Sequence, residues 1–101
     1  MEVLVIITTE SSKKNASQMA KLLIQNKLAA CVSIKEIFSI YAWDGDIEET
    51  KEFEIIIKSK PEFKNNLIDF LHKISTYDVP QIIYKKYYSE TKYFDWLNET
   101  I

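Results

Sequence analysis

Arginine is absent: all thirteen basic side chains in the 101 residues are lysines. Without a guanidinium fork, planar two-pronged recognition of phosphate, carboxylate or guanine is excluded, so enzymes and nucleic-acid readers built on it are poor candidates. Cysteine occurs once, at Cys31, which rules out a disulfide within the chain and gives no reason to expect an oxidising compartment. Histidine also occurs once, and His72, with no ligand cluster around it, reads as an exposed helix side chain. Glycine occurs once and proline twice against 47% apolar residues, which excludes low-complexity disorder and argues for one domain over residues 1–101. Long apolar runs are missing too. The run from Val3 to Ile7 has five residues and no basic leader, too short for a signal segment or a membrane span, so the expected location is the cytoplasm. A net charge of −2 gives no pull toward nucleic acid or membrane, and neither is expected as a partner.

What is there is organised around the one glycine. Asp44-Gly45 supplies the positive φ values of a tight hairpin turn, and it joins two long β-branched and aromatic stretches between Leu28 and Lys60. With those two residues as the loop, Cys31 falls opposite Lys58, Val32 opposite Ile57, Ile34 opposite Ile55 and Lys35 opposite Glu54. Apolar then meets apolar on one face, and opposite charges meet on the other. Arms of about fourteen residues make a ribbon on the order of 45 Å long, whereas a helix of about fourteen residues spans only about 21 Å. A single helical layer leaves the outer half uncovered. Phe38, Ile40, Tyr41 and Trp43 lie there, so a partner is expected, most simply further copies of this chain.

The remaining elements follow in order. Residues 2–9 are apolar and β-branched, a central strand. Ser11 and Ser12 offer helix caps ahead of Ala16, Met19, Ala20 and Leu23 at helical spacing. Pro61 opens a second amphipathic helix, residues 61–74, carrying Phe63, Leu67, Phe70, Leu71 and Ile74 on one face. Pro80 opens a fourth strand through Ile82, Ile83 and Tyr84, and Ser89 caps a short terminal helix with Tyr93, Trp96 and Leu97 inward. This order predicts an α+β fold, a ferredoxin-like βαββαβ sandwich with an overlong hairpin between the second and third strands and a short C-terminal helix. Both helices take one sheet face. The other face is expected to have no cover from this chain, a second reason for assembly.

Five strings fall into one pattern: LAACVSI, SIYAWDGDI, EFEIIIKSK, TYDVPQII and YFDWL, in that order. Together they resemble the CutA family of divalent-ion tolerance proteins. The resemblance implies a non-enzymatic homotrimer, joined through sheet faces and long hairpins and associated with tolerance of copper and other divalent cations. It also implies likeness to the PII signalling proteins, which bind small ligands in clefts between subunits. The family often has a histidine and a glutamate where this chain has Ser75 and Gln81. The copper ligands ascribed to some bacterial relatives correspond here to Thr8, Ile74 and Gln81, a poor donor set.

Two candidate sites result. Cys31 is a small interior side chain or, with Lys58 opposite favouring a thiolate, a reactive thiol and a candidate metal donor. No cofactor is required; a divalent cation such as Cu²⁺ would be held weakly, with donors from neighbouring copies. Tyr41 and Trp43 serve as interface anchors or as one wall of an inter-subunit cleft facing Lys58, Tyr77, Asp78 and Gln81, a setting for a small ligand. The acids near the hairpin tip, Asp44, Asp46, Glu48, Glu49, Glu52 and Glu54, protect a sheet edge or meet Lys85, Lys86 or Lys92 of a neighbour. Two functions compete: a divalent-metal tolerance protein, and a PII-like sensor of a small metabolite.

Overall fold

Asp44 and Gly45 have φ values of +50° and +83°, the two positive angles of a tight hairpin turn, and the strands on either side pair as that turn dictates. The computed structural model describes Met1 to Ile101. Strand β2 (Cys31–Trp43) and strand β3 (Asp46–Ser59) run antiparallel, with Cys31 opposite Lys58, Ile34 opposite Ile55 and Trp43 opposite Asp46. The expected register is therefore the observed one. Lys35 Nζ lies 3.8 Å from the Glu54 carboxylate across the ladder, and Lys51 reaches Glu36 at 3.7 Å. Both pairs are solvated, so they reinforce register more than stability.

Strand β1 (Glu2–Glu10) lies between β3 and β4 (Ile83–Tyr88), giving the order β2-β3-β1-β4 with every neighbouring pair antiparallel. Helices α1 (Lys13–Gln25) and α2 (Lys64–Ile74) complete the ferredoxin-like arrangement. Alternation along the strands turns Leu4, Ile6, Ile55 and Ile57 toward the helices, where they pack with Met19, Leu23, Leu67 and Leu71. Burial of each such side chain stabilises by about 1.5–3 kcal/mol, and this cluster is the principal core. Ser12 caps α1 by accepting from the Asn15 amide at 3.0 Å.

Four expectations are corrected. Pro61 opens a 3-10 turn (Pro61–Phe63), and the α-helix begins only at Lys64. Strand β4 begins at Ile83, because pairing with β1 stops at Ile7, and Pro80 to Ile82 leave the sheet. Ser89 does not cap the terminal helix α3 (Thr91–Thr100): its amide bonds the Met1 carbonyl at 2.9 Å, continuing β4, and Glu90 takes the cap position. The sheet face away from α1 and α2 is not wholly bare. Alternation places Val3, Cys31 and Lys58 on it, Val3 and Leu97 are buried outside the main core, and Lys60 Nζ reaches the Ile101 carbonyl at 3.0 Å. These contacts set α3 against one end of that face.

The outer half of the hairpin has no such cover. The molecule is 46 Å long against 24 and 22 Å in the other directions, and Phe38, Ile40 and Ile47 are 67%, 62% and 78% exposed.

Candidate functional site

Along the outer part of β2, Ser39, Tyr41 and Trp43 alternate onto the sheet face opposite α1 and α2, and the register sets Thr50, Glu48 and Asp46 across from them. The segment following α2, residues 75–82, faces this stretch. Its position is fixed from β1: the buried Glu10 carboxylate accepts from the Thr76 amide at 3.0 Å, from the Thr76 hydroxyl, and from Ser75 Oγ at 3.4 Å. Ser75 Oγ in turn accepts from the Tyr77 amide at 3.2 Å, a local turn that aims the Tyr77 ring away from the core. The Tyr77 hydroxyl then donates to Glu52 on β3 at 2.7 Å.

These constraints enclose a cleft of about 700 Å³. Tyr41, Trp43, Ile40 and Ser39 form the hairpin wall, Glu48 and Glu52 come from β3, Thr9 from β1, and Thr76, Tyr77, Asp78, Val79 and Gln81 form the opposite wall. Three carboxylates line it and no lysine does. The electrostatic effect is visible at Tyr77. Burial pushes its pKa up, the hydrogen bond to the Glu52 carboxylate pushes it further, and the charges of Glu52, Glu10 and Tyr41 add to the rise. The phenol stays protonated and acts as a donor.

Of the residues expected to share a cleft, the fold brings together Tyr41, Trp43, Tyr77, Asp78 and Gln81, and it does so within one chain. Lys58 is not among them. It lies on the same sheet face, but opposite Cys31 and Val5, six residues from Glu52 and so about 20 Å down β3. Periodicity gave its face correctly and could not give its distance. Sequence reasoning missed Glu10, whose partners are more than sixty positions away, and read Glu48 and Glu52 as edge protection or as partners of a neighbour's lysines although the register already set Glu48 opposite Tyr41.

The second candidate, Cys31, is a free, half-buried thiol. Tyr93 of α3 lies near it: burial raises the Tyr93 pKa, and the thiol's charge when ionised adds to the rise. The positions implied as copper ligands do not converge. Thr8 is buried on the helix-covered face, Ile74 packs against the core, and Gln81 lines the cleft. Nowhere in the chain do three His, Cys, Asp or Glu side chains gather closely enough to hold one metal ion. No helix is long and apolar enough to cross a membrane.

Comparison with known proteins agrees with this fold. The family model described as CutA1 divalent ion tolerance protein matches residues 4–100. The divalent-cation tolerance protein CutA of Archaeoglobus fulgidus is 36% identical over 97 residues, 95% of each chain. The human protein CutA is 37% identical over 73 residues, 71% of this chain and 41% of its own length. Among solved structures, CutA from Synechococcus elongatus superposes with a TM-score of 0.95 at 31% identity, covering 98% of this chain and 89% of that one. The Archaeoglobus fulgidus structure, described as a periplasmic divalent cation tolerance protein, gives 0.92 at 34% identity over 99% and 98% of the two chains. With nearly every residue matched and the same sheet order built from its own sequence, the chain belongs to the CutA1 divalent ion tolerance protein family.

Proposed function

We propose that this protein acts without enzymatic chemistry in the cellular response to divalent metal ions, copper among them, as a cytoplasmic homotrimer. The observation that carries the metal role is the nearly full-length match to proteins named for divalent-cation tolerance. The trimer is supported by the bare outer hairpin, where Phe38, Ile40 and Ile47 stand in water on a single copy. Any Cu²⁺ site then draws donors from more than one copy, the Cys31 thiolate among them, because a single copy gathers no three-ligand cluster.

Sedimentation of the wild-type chain beside Phe38→Asp/Ile40→Asp tests the assembly. The wild type is expected to sediment as three copies and the variant as one. Calorimetric titration with Cu²⁺, repeated on Cys31→Ser, tests the metal role, and loss of the binding heat in the variant is expected. Absence of any Cu²⁺ or Zn²⁺ heat with the assembled protein would remove direct metal binding.

A second reading has its own observation. The cleft between the hairpin and residues 75–82 has aromatic walls, a few polar groups and a volume within the usual range of small-molecule sites, which supports a PII-like role in sensing a small ligand. A thermal-shift screen of divalent cations beside nucleotides, carboxylates and amines separates the two, since only a ligand that binds the fold raises the melting temperature.

A further inference from the structure

We propose that the outer side of α1 is a docking surface for a short acidic segment of a partner protein, which lies along Lys14, Gln18, Lys21 and Gln25. Residues 11–35 hold five of the thirteen lysines and none of the fifteen acids, so positive charge is concentrated on one helix of a chain whose net charge is −2. Ala16, Met19 and Leu23 bury the inner side of α1 in the core. Lys14, Gln18, Lys21 and Gln25 recur at helical spacing on the opposite side, and all four are exposed. That side points away from the sheet. Assembly through the other sheet face and the outer hairpin therefore leaves it in solvent, once per copy.

The lysines stand where the helix gains nothing from them. A helix is stabilised by acids in its first turn, by cations in its last, and by Glu and Lys four residues apart. Helix α2 follows this at its end, with His72 and Lys73 in the last turn. Helix α1 reverses it: Lys13 and Lys14 open the first turn with no acid beside them, and the last turn has no base. Four positions after Lys13, Lys14 and Lys21 come Ser17, Gln18 and Gln25, so no lysine meets a carboxylate along the helix. None arrives from elsewhere in the chain, whose only ion pairs are Lys35 with Glu54 and Lys51 with Glu36. A row of cations that works against its own helix is matched by carboxylates from outside.

The extent of the row selects the occupant. The thirteen residues of α1 span about 20 Å, and beyond them exposed acids return, Glu62 and Asp69 in the other helical segment and Asp44, Asp46, Glu48 and Glu49 at the hairpin tip. A long polyanion such as nucleic acid, or an anionic membrane plane, meets those acids as well as the lysines. A short segment meets the lysines alone. The chemistry between the lysines agrees: Gln18 and Gln25 carry amides that both donate and accept, which suits a peptide backbone, and no arginine is present to read a base edge. Ile24, 44% exposed beside Gln25, offers an apolar contact that a peptide side chain fills and a phosphate does not.

The test uses the full-length assembled protein at physiological ionic strength and the fluorescence anisotropy of a fluorescein-labelled decapeptide of glutamates around a single leucine. A decapeptide with glutamine in place of glutamate, single-stranded DNA of equal charge and phosphatidylserine vesicles are run beside it. Saturable binding of the acidic peptide is expected, with none of the glutamine peptide. Lys14→Gln/Lys21→Gln is expected to weaken it by about fivefold. Lys73→Gln, which removes a charge from α2, is expected to leave it unchanged. Lys14→Glu is expected to raise the urea midpoint, by placing an acid in the first turn, while abolishing peptide binding, which separates docking from folding. Absence of peptide binding, or equal weakening by Lys73→Gln, would overturn the proposal. So would tighter binding of DNA or vesicles with the same dependence on Lys14 and Lys21, which would assign the face to a different class of partner. Sedimentation of Lys14→Gln/Lys21→Gln as single copies would overturn it too, by making this side of α1 a contact between copies.

Discussion

The Tyr77 hydroxyl donates to the Glu52 carboxylate across 2.7 Å and twenty-five positions of sequence, joining the segment after α2 to the hairpin. It is the one direct side-chain hydrogen bond between the two walls of the cleft. Tyr77→Phe keeps the ring and removes the donor, so a destabilisation of about 1.5–3 kcal/mol is expected, the range for a hydrogen bond to a charged group. Urea denaturation followed by far-ultraviolet circular dichroism measures it, and an unchanged midpoint would show that water replaces the bond at no cost.

The same bond gives the protein an alkaline limit. Tyr77 has its pKa raised in the fold by burial and by Glu52, whereas in the unfolded chain it ionises near about 10. A group whose folded pKa is raised contributes stability that is whole below the unfolded value and declines as pH climbs beyond it. Stability is therefore expected to fall above about pH 10, and Tyr77→Phe should flatten part of that fall. Denaturation midpoints across the alkaline range, with phenolate absorbance recorded alongside, provide the comparison.

Glu10 predicts a larger effect. Its carboxylate is buried and serves the Thr76 amide, the Thr76 hydroxyl and the Ser75 hydroxyl. Glu10→Ala strands those donors and is expected to cost about 2–4 kcal/mol, whereas Glu10→Gln, which keeps one accepting oxygen, is expected to cost less. Because these bonds position the Tyr77 wall, residues 75–82 should also become more susceptible to limited proteolysis.

Thr8 makes the opposite prediction. Its hydroxyl is buried on the helix-covered face without a partner. Thr8→Val replaces the hydroxyl by a methyl of similar shape and is expected to stabilise by about 1 kcal/mol, read as a higher urea midpoint. A lower midpoint would mean that the hydroxyl is satisfied in solution, by water or by another copy.

Gly45 sits at φ +83° with open space where a Cβ would point, so any penalty for alanine there is backbone strain alone. Gly45→Ala is expected to cost about 1–2 kcal/mol, localised at the hairpin tip. Exchange of backbone amides near Asp46 should quicken in the variant while those near Ile57 keep their protection.

How much of this could be read from the chain depends on how local the signal was. Asp44-Gly45 fixes a turn from two adjacent residues, and a side-chain period of two carries that register through all of β2 and β3, so the pairing down to Cys31 with Lys58 was legible. Tyr41, Trp43, Tyr77, Asp78 and Gln81 were expected around a cleft between subunits, and the fold gathers them along one cleft within a single chain. Lys58 was misplaced because alternation specifies a face and leaves position along the strand to the register. Glu10 was invisible: a carboxylate closing an apolar strand resembles an ordinary solvated end, and its donors arrive from residues 75 and 76. The start of β4 was missed for a related reason, since Pro80 signals extended backbone and only the partner strand decides where pairing begins.

The outer ribbon is a beam two strands wide, clamped at its root by the core and uncovered by the rest of the chain at its end. When such a beam flexes, Trp43 travels farther than Tyr41, and Tyr41 farther than Ser39, because each lies closer to the root than the last. Glu52 faces Ile37 in the ladder, inboard of all three, so the link from Tyr77 acts near the fulcrum. The mouth of the cleft can swing while its inner corner stays pinned, and the aperture is governed by whatever rests against the tip.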